Sequence, residues 1–134
     1  MRSTKALLCV ALAGLVGLGS AAPVQADDGE PYPSVALRLY DDAWYEGWTR
    51  LFSKSDYDFD YSDNDEASSV ENFTVVAWVL FDDADLRDRR YCIRPGEVVP
   101  DLGAPQYKFN DKVSSVLKLS RATCDEYPPF YPGP

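Results

Sequence analysis

One six-residue pattern occurs twice in this 134-residue chain, as Asn64-Asp65-Glu66-Ala67-Ser68-Ser69 and as Asn110-Asp111-Lys112-Val113-Ser114-Ser115. Each copy is followed by Val and an alternating segment, so the repeat points to a fold of two related halves. Each copy also gathers amide, carboxylate and hydroxyl oxygens into a short turn. Those are the ligands that a hard cation such as Ca2+ takes.

A second signature precedes each copy. Tyr40-Asp41-Asp42-Ala43-Trp44-Tyr45-Glu46-Gly47 spaces an aromatic, four residues, an aromatic, one residue and Gly. Phe81-Asp82-Asp83-Ala84-Asp85-Leu86-Arg87-Asp88 keeps that spacing, with Leu86 and Asp88 in place of Tyr45 and Gly47. Tyr40 and Phe81 are 41 positions apart and Asn64 and Asn110 are 46 apart, so the second half carries five extra residues. The turn-rich stretch Arg94-Pro95-Gly96-Glu97-Val98-Val99-Pro100-Asp101-Leu102-Gly103 is the expected place for them, because surface loops absorb insertions at little cost.

Residues 1–26 read as an export signal, with Arg2 and Lys5 at a basic start, an apolar run from Leu7 to Leu18, and the small-residue site Val24-Gln25-Ala26. The mature chain is expected to begin at Asp27 and to hold 108 residues, enough for one compact domain. The whole chain has net charge −9; losing Arg2 and Lys5 leaves 11 basic against 22 acidic residues, a net −11. That balance opposes nucleic acid and anionic membrane, both dense arrays of negative charge, and suits cations. Only Cys92 and Cys124 remain after export, an even count in an oxidising compartment, and they are expected to pair.

Val35, Leu37 and Leu39 alternate with Ala36, Arg38 and Tyr40, and Trp48–Phe52, Ala77–Phe81, Tyr91–Ile93 and Val116–Leu119 are short aromatic or β-branched runs. These are strand signals, and no window offers an amphipathic helix with start and stop residues. The reading is an all-β sandwich. Residues 27–33 form a polar lead-in, 34–120 the domain, and 121–134 a Pro/Tyr-rich C-terminal tail unable to sustain regular hydrogen bonding.

The paired signatures resemble those of the βγ-crystallins, specifically the microbial calcium-binding members. The resemblance covers roughly residues 34 to 120. It implies a βγ-crystallin-like sandwich of two Greek keys, at about 34–75 and about 76–120, with two calcium sites that each borrow ligands from both motifs. Tyr40, Tyr45 and Gly47, and Phe81 in the second copy, mark the folded-over hairpins. Asp65 and Ser68 from the first loop and Asp111 and Ser114 from the second would supply side-chain oxygens. Carbonyls of Glu66 and Lys112 would join them, with hairpin carbonyls near Glu46 and Arg87 completing the shells. Asn64 and Asn110 would shape the loops, and Ser69 and Ser115 would brace the hairpins. The two sites are expected to differ in strength, because the second follows a degraded hairpin and carries Lys112.

Other readings are weaker. The run Asp56-Tyr57-Asp58-Phe59-Asp60 does not make an EF-hand, since Tyr61 stands where Gly is needed and Ala67 where the bidentate Glu is needed. Asn72-Phe73-Thr74 fits a glycosylation acceptor or, more simply, ordinary strand residues. With no His in the chain, the usual base for a Ser or Cys nucleophile is missing, and no enzyme is expected. The functional expectation is a secreted, monomeric calcium-binding domain with no catalytic residues. The alternative on the same scaffold is an interaction protein, since secreted relatives of this fold include protease inhibitors and killer-toxin-like proteins; its partner would be an extracellular protein.

Overall fold

The computed structural model describes residues 35–133. The expected export signal at 1–26 and the lead-in at 27–33 lie outside the described residues. Seven strands are present among the described residues: β1 (Leu37–Tyr40), β2 (Thr49–Phe52), β3 (Ser69–Asn72), β4 (Trp78–Asp83), β5 (Arg87–Ile93), β6 (Val98–Val99) and β7 (Ser115–Lys118). The one helical element among the described residues is a single 3-10 turn, Ala43–Tyr45. The fold is all-β.

The strands form two antiparallel sheets, ordered β2-β1-β3-β6 and β5-β4-β7. The two halves interlock. β6, from the second half, pairs with β3 of the first sheet through Val70↔Val99 and Glu71↔Val98. In return, Asp56 of the first half bridges Val116 on β7 of the second sheet. Neither sheet is completed by its own half of the chain, so the two halves share one core.

That core explains the two kinds of strand seen in the sequence. β1 turns Leu37 and Leu39 fully into the core, while on its other face half-buried Arg38 lies between buried Ala36 and Tyr40. β4 is apolar without interruption because both of its faces are covered. Trp78 and Leu80 join the inter-sheet core with Leu37, Leu39, Val70 and Val116. Val79 and Phe81 point the other way, into a second cluster with Ala77, Cys92, Leu119 and Cys124.

The C-terminal segment supplies that second cover. Cys92 and Cys124 are joined, with Cα atoms 5.8 Å apart. Beyond the bond, Cys92 N donates to Pro128 O and Phe130 N donates to Cys92 O, a parallel bridge on the free edge of β5. Its prolines prevent a longer ladder. Phe130 nevertheless enters the main core, stacked on Tyr91 with centroids 4.9 Å apart and edge-on to Tyr107. The Pro/Tyr-rich tail is thus part of the packed domain and masks an edge strand.

The five extra residues of the second half fall in two places. Phe59 N donates to Ser114 O and Leu102 N donates to Ser68 O, so Phe59 and Leu102 are equivalent. Their separation of 43 leaves two insertions before Leu102, within the expected stretch, and three between Leu102 and Asn110. The latter segment provides Tyr107 and Phe109, both buried. Asn72 is fully buried, its amide donating to Val76 O and Ile93 O while its carbonyl accepts from Thr74. The glycosylation reading is therefore incompatible with the folded chain, because both ends of the amide are already used.

Candidate metal centre

The two hairpins have the same backbone. Trp44, Tyr45 and Gly47 have φ of 63°, 65° and 80°; Asp85, Leu86 and Asp88 at the matching positions have φ of 59°, 57° and 67°. Gly47 suits this geometry without strain, and Asp88 reaches it as a short polar residue that tolerates the left-handed region. Space is tight as well as twisted at Gly47, since a Cβ there would lie 2.8 Å from Asp42 Oδ2.

Each hairpin is tied to the loop motif of its own half by a buried serine. Ser69 Oγ donates to Asp42 O at 2.7 Å and accepts from Tyr45 N at 3.0 Å. Ser115 Oγ donates to Asp83 O at 2.6 Å and accepts from Leu86 N at 3.2 Å. Both serines are fully buried, so each hydroxyl, shut away from water, satisfies its own hydrogen-bonding capacity on the backbone of the turn.

The two loop motifs then lie against each other. Asp65 N donates to Val113 O at 3.2 Å, and Asp111 N donates to Ala67 O at 2.9 Å, the same contact made twice. Asp65 and Asp111 are both left-handed, with φ of 59° and 51°, a conformation that Asp tolerates better than most residues. That turn carries each carboxylate across to the opposite loop. Ser114 Oγ donates to Asp65 Oδ1 at 2.9 Å, and Ser68 Oγ donates to Asp111 Oδ1 at 3.2 Å. Asp65 and Ser68, three residues apart in one motif, therefore belong to two different constellations.

Around Ser114 the oxygens are densest. Its hydroxyl lies 2.8 Å from Asp82 O and 3.4 Å from Lys112 O. The pairing register of β4 with β5 shifts between Phe81 and Asp83, a bulge that re-aims the chain beside the loop. A surface depression of about 450 Å³ opens there, lined among others by Asp58, Asn64, Asp65, Asp83 and Ser114. The Lys112 side chain is exposed, so its charge faces solvent. Sequence reasoning did not single out Asp82, Asp58 or Asp83. Asp82 could have been found by aligning the halves; Asp58 arrives only because the Asp56–Asp60 run crosses to the second sheet, where Asp85 N donates to Tyr57 O.

The remaining predicted positions are more peripheral. Glu46 is exposed, and its carbonyl accepts from Asp42 N within the hairpin. Arg87 is exposed and paired with Asp85 at 2.7 Å. Glu66 and Asn110 are exposed, and Asn64 N donates to Asp60 O. Near the first loop, buried Arg50 contacts Asp41 at 2.6 Å and Asp63 at 2.7 Å, tying the hairpin to the turn before Asp65. Burial alone would lower the Arg50 pKa, but the two carboxylates outweigh it and hold the guanidinium above its ordinary value.

Among the described residues no three Asp, Glu, His or Cys side chains converge on one point. Each constellation instead offers one carboxylate and one hydroxyl, and the one at Ser114 also offers the backbone carbonyls of Asp82 and Lys112. All donors are oxygens, which fits a hard cation that completes its shell with water and does not fit zinc or another metal preferring N and S.

No protein-family model and no curated protein matches this chain. Solved structures do. A βγ-crystallin from Ciona intestinalis matches with TM-score 0.56 and 23% identity over 63% of this chain and 99% of its own. A βγ-crystallin domain from Flavobacterium johnsoniae matches with TM-score 0.54 and 23% identity, covering 65% of this chain and 97% of that one. A serine-to-histidine double mutant of clostrillin in complex with nickel matches with TM-score 0.51 and 20% identity, covering 63% and 98%. The architecture derived above is the βγ-crystallin fold.

Proposed function

We propose that this βγ-crystallin fold serves as a secreted, non-catalytic calcium-binding module with two sites, one at Ser68 and Asp111 and one at Asp65 and Ser114. The observation that carries the reading is the crossed pairing of the two loops, repeated with the same contacts in both halves. An acidic turn used only for solubility has no reason to bring a buried serine hydroxyl and a left-handed aspartate together twice. At each site the serine and aspartate turn their oxygens to the ion instead of to each other. Calcium supplies positive charge that neutralises the aspartates and couples the two halves. Secretion rests on the export signal read in residues 1–26.

The sites are unequal in this reading. Asp58 and Asp83 add negative potential around Asp65 and Ser114 and Lys112 is turned to solvent, so the Asp65–Ser114 site is the tighter, the reverse of the weakening that Lys112 and the degraded hairpin suggest in the sequence. With a single carboxylate in each constellation, affinities belong with extracellular modules at about 10⁻⁴ to 10⁻³ M. Binding stabilises the fold by linkage, about 2.7 kcal/mol per site at a hundredfold excess over Kd. The nickel neighbour is a poor guide to the metal, because this chain has no histidine.

Calorimetric titration of residues 27–134 with Ca2+, with thermal melting in Ca2+ and in chelator, tests the proposal. Two binding events and a raised melting temperature are expected, with Asp65→Ala removing the tighter event and Asp111→Ala the weaker. No heat and no melting shift at millimolar Ca2+ would overturn it.

A further inference from the structure

The first hairpin displays two indoles that the fold neither buries nor requires. Trp44 and Trp48 are 69% and 71% exposed. The second hairpin is an internal control. At the 41-residue spacing that relates Tyr40 to Phe81, Trp44 corresponds to Asp85 and Trp48 to Arg89. The same left-handed turn forms there with charged residues, so the scaffold has no need of an aromatic at either place. Trp44 carries a bulky side chain on a residue held in that left-handed conformation, its backbone N–H fixed to Pro100 O at 2.7 Å. A large apolar side chain that is strained, exposed and dispensable to the fold points to a contact made with something else.

The charges beside the indoles identify what. Asp41 is neutralised by Arg50. Asp42 and Glu46 are exposed, and among the described residues neither makes an ion pair. The Asp42 carboxylate lies over Gly47, between Glu46 and Trp48 in the turn. Two free carboxylates and two open indole faces on one hairpin suit a cation, which is drawn by both the carboxylate charge and the ring quadrupole. Arg fits best, since its flat guanidinium can stack on an indole while donating to a carboxylate. The same carboxylates repel an anionic lipid surface and offer a neutral sugar no charge complement.

We propose that the first hairpin, through Trp44, Trp48, Asp42 and Glu46, docks an arginine-containing basic segment of a partner protein. The test is titration of residues 27–134 with an acetylated hexa-arginine peptide at about 0.15 M salt in chelator, read by calorimetry and tryptophan fluorescence, so that it stands apart from calcium binding. Trp78 is fully buried with its indole N–H on Thr74 Oγ1, so the fluorescence change reports the hairpin. The Trp44→Ser/Trp48→Ser variant keeps the charge and is expected to weaken binding about tenfold. Asp42→Asn/Glu46→Gln is expected to do the same. Asp125→Asn/Glu126→Gln, which removes as much charge from the C-terminal segment, should change affinity less than about twofold if the indoles and their neighbours form the site. Melting curves confirm that each variant folds. The proposal is overturned if the tryptophan variant binds hexa-arginine like the wild type, or if the C-terminal variant loses as much. It is equally overturned if a neutral hexasaccharide or phosphatidylcholine vesicles bind while the peptide does not.

Discussion

Replacing Asp65 by alanine should be felt at Ser114, 49 positions away, and not at Ser68 in the same six-residue motif. A hydrogen bond to a charged group contributes about 1.5–3 kcal/mol net when both partners are shielded. Here Asp65 is exposed and water competes for its carboxylate, while the Ser114 hydroxyl has one proton to divide between Asp65 Oδ1 and Asp82 O. Both effects reduce the coupling, to about 0.5–1 kcal/mol for Asp65 with Ser114. Asp111 with Ser68, at 3.2 Å, should give a similar value. Double-mutant cycles by urea unfolding in chelator measure these terms. The same-motif cycles, Asp65 with Ser68 and Asp111 with Ser114, should be additive within about 0.3–0.5 kcal/mol. Calcium stoichiometry gives a second readout: Asp65→Ala/Ser114→Ala should keep one site, whereas Asp65→Ala/Ser68→Ala should keep none. Same-motif coupling equal to or larger than the crossed coupling, with one site retained in the same-motif variant, would refute the crossed architecture.

Gly47→Ala should cost about 1–2 kcal/mol, because φ is +80° and the new Cβ would meet Asp42 Oδ2 at 2.8 Å and the unyielding Asp42 N at 3.2 Å. The matching Asp88→Gly, at φ 67°, should be neutral or stabilising by less than about 1 kcal/mol, and thermal melting distinguishes the two. Phe130→Ala should cost about 3 kcal/mol, the low end for a core aromatic, since the depression beside Tyr91 and Tyr107 admits water; a loss below about 1 kcal/mol in urea unfolding would mean that the C-terminal segment is not part of the core. Burial, reinforced by Glu71 at Tyr40 and Tyr45, raises the phenol pKa values of Tyr40, Tyr45 and Tyr131 above their ordinary 10.0. Above pH 10 the unfolded chain releases those protons while the folded chain holds them, so stability is full below 10 and falls as pH rises through the folded values. The urea midpoint should drop over that range, and a constant midpoint would contradict the burial of these phenols.

Five strands were legible because their cause is local. Alternation in the sequence marks Leu37 and Leu39 on β1, and an unbroken apolar run marks β4. β6 was not legible, since two residues carry no period and Val98 and Val99 become a strand only by meeting β3. In the segment 56–61, Phe59 packs inward on Phe52 while Tyr57 and Tyr61 stay exposed, a division set by where the segment lands on the second sheet. The C-terminal segment reads as a tail without regular hydrogen bonding because proline forbids a ladder; its place is decided by a vacant strand edge and an aromatic pocket formed far away in the chain.

The sequence by itself determined that there are two motifs, that each gathers amide, carboxylate and hydroxyl oxygens into a short turn, and that each is preceded by a hairpin signature. These are properties of a few adjacent residues, fixed by the sterics of φ and ψ and by side-chain chemistry. Only the tertiary structure decided that Asp65 serves with Ser114 and Asp111 with Ser68. That assignment follows from two segments crossing between sheets, which brings the loops together head to tail, and the sequence spacing within either motif contains no information about such a crossing.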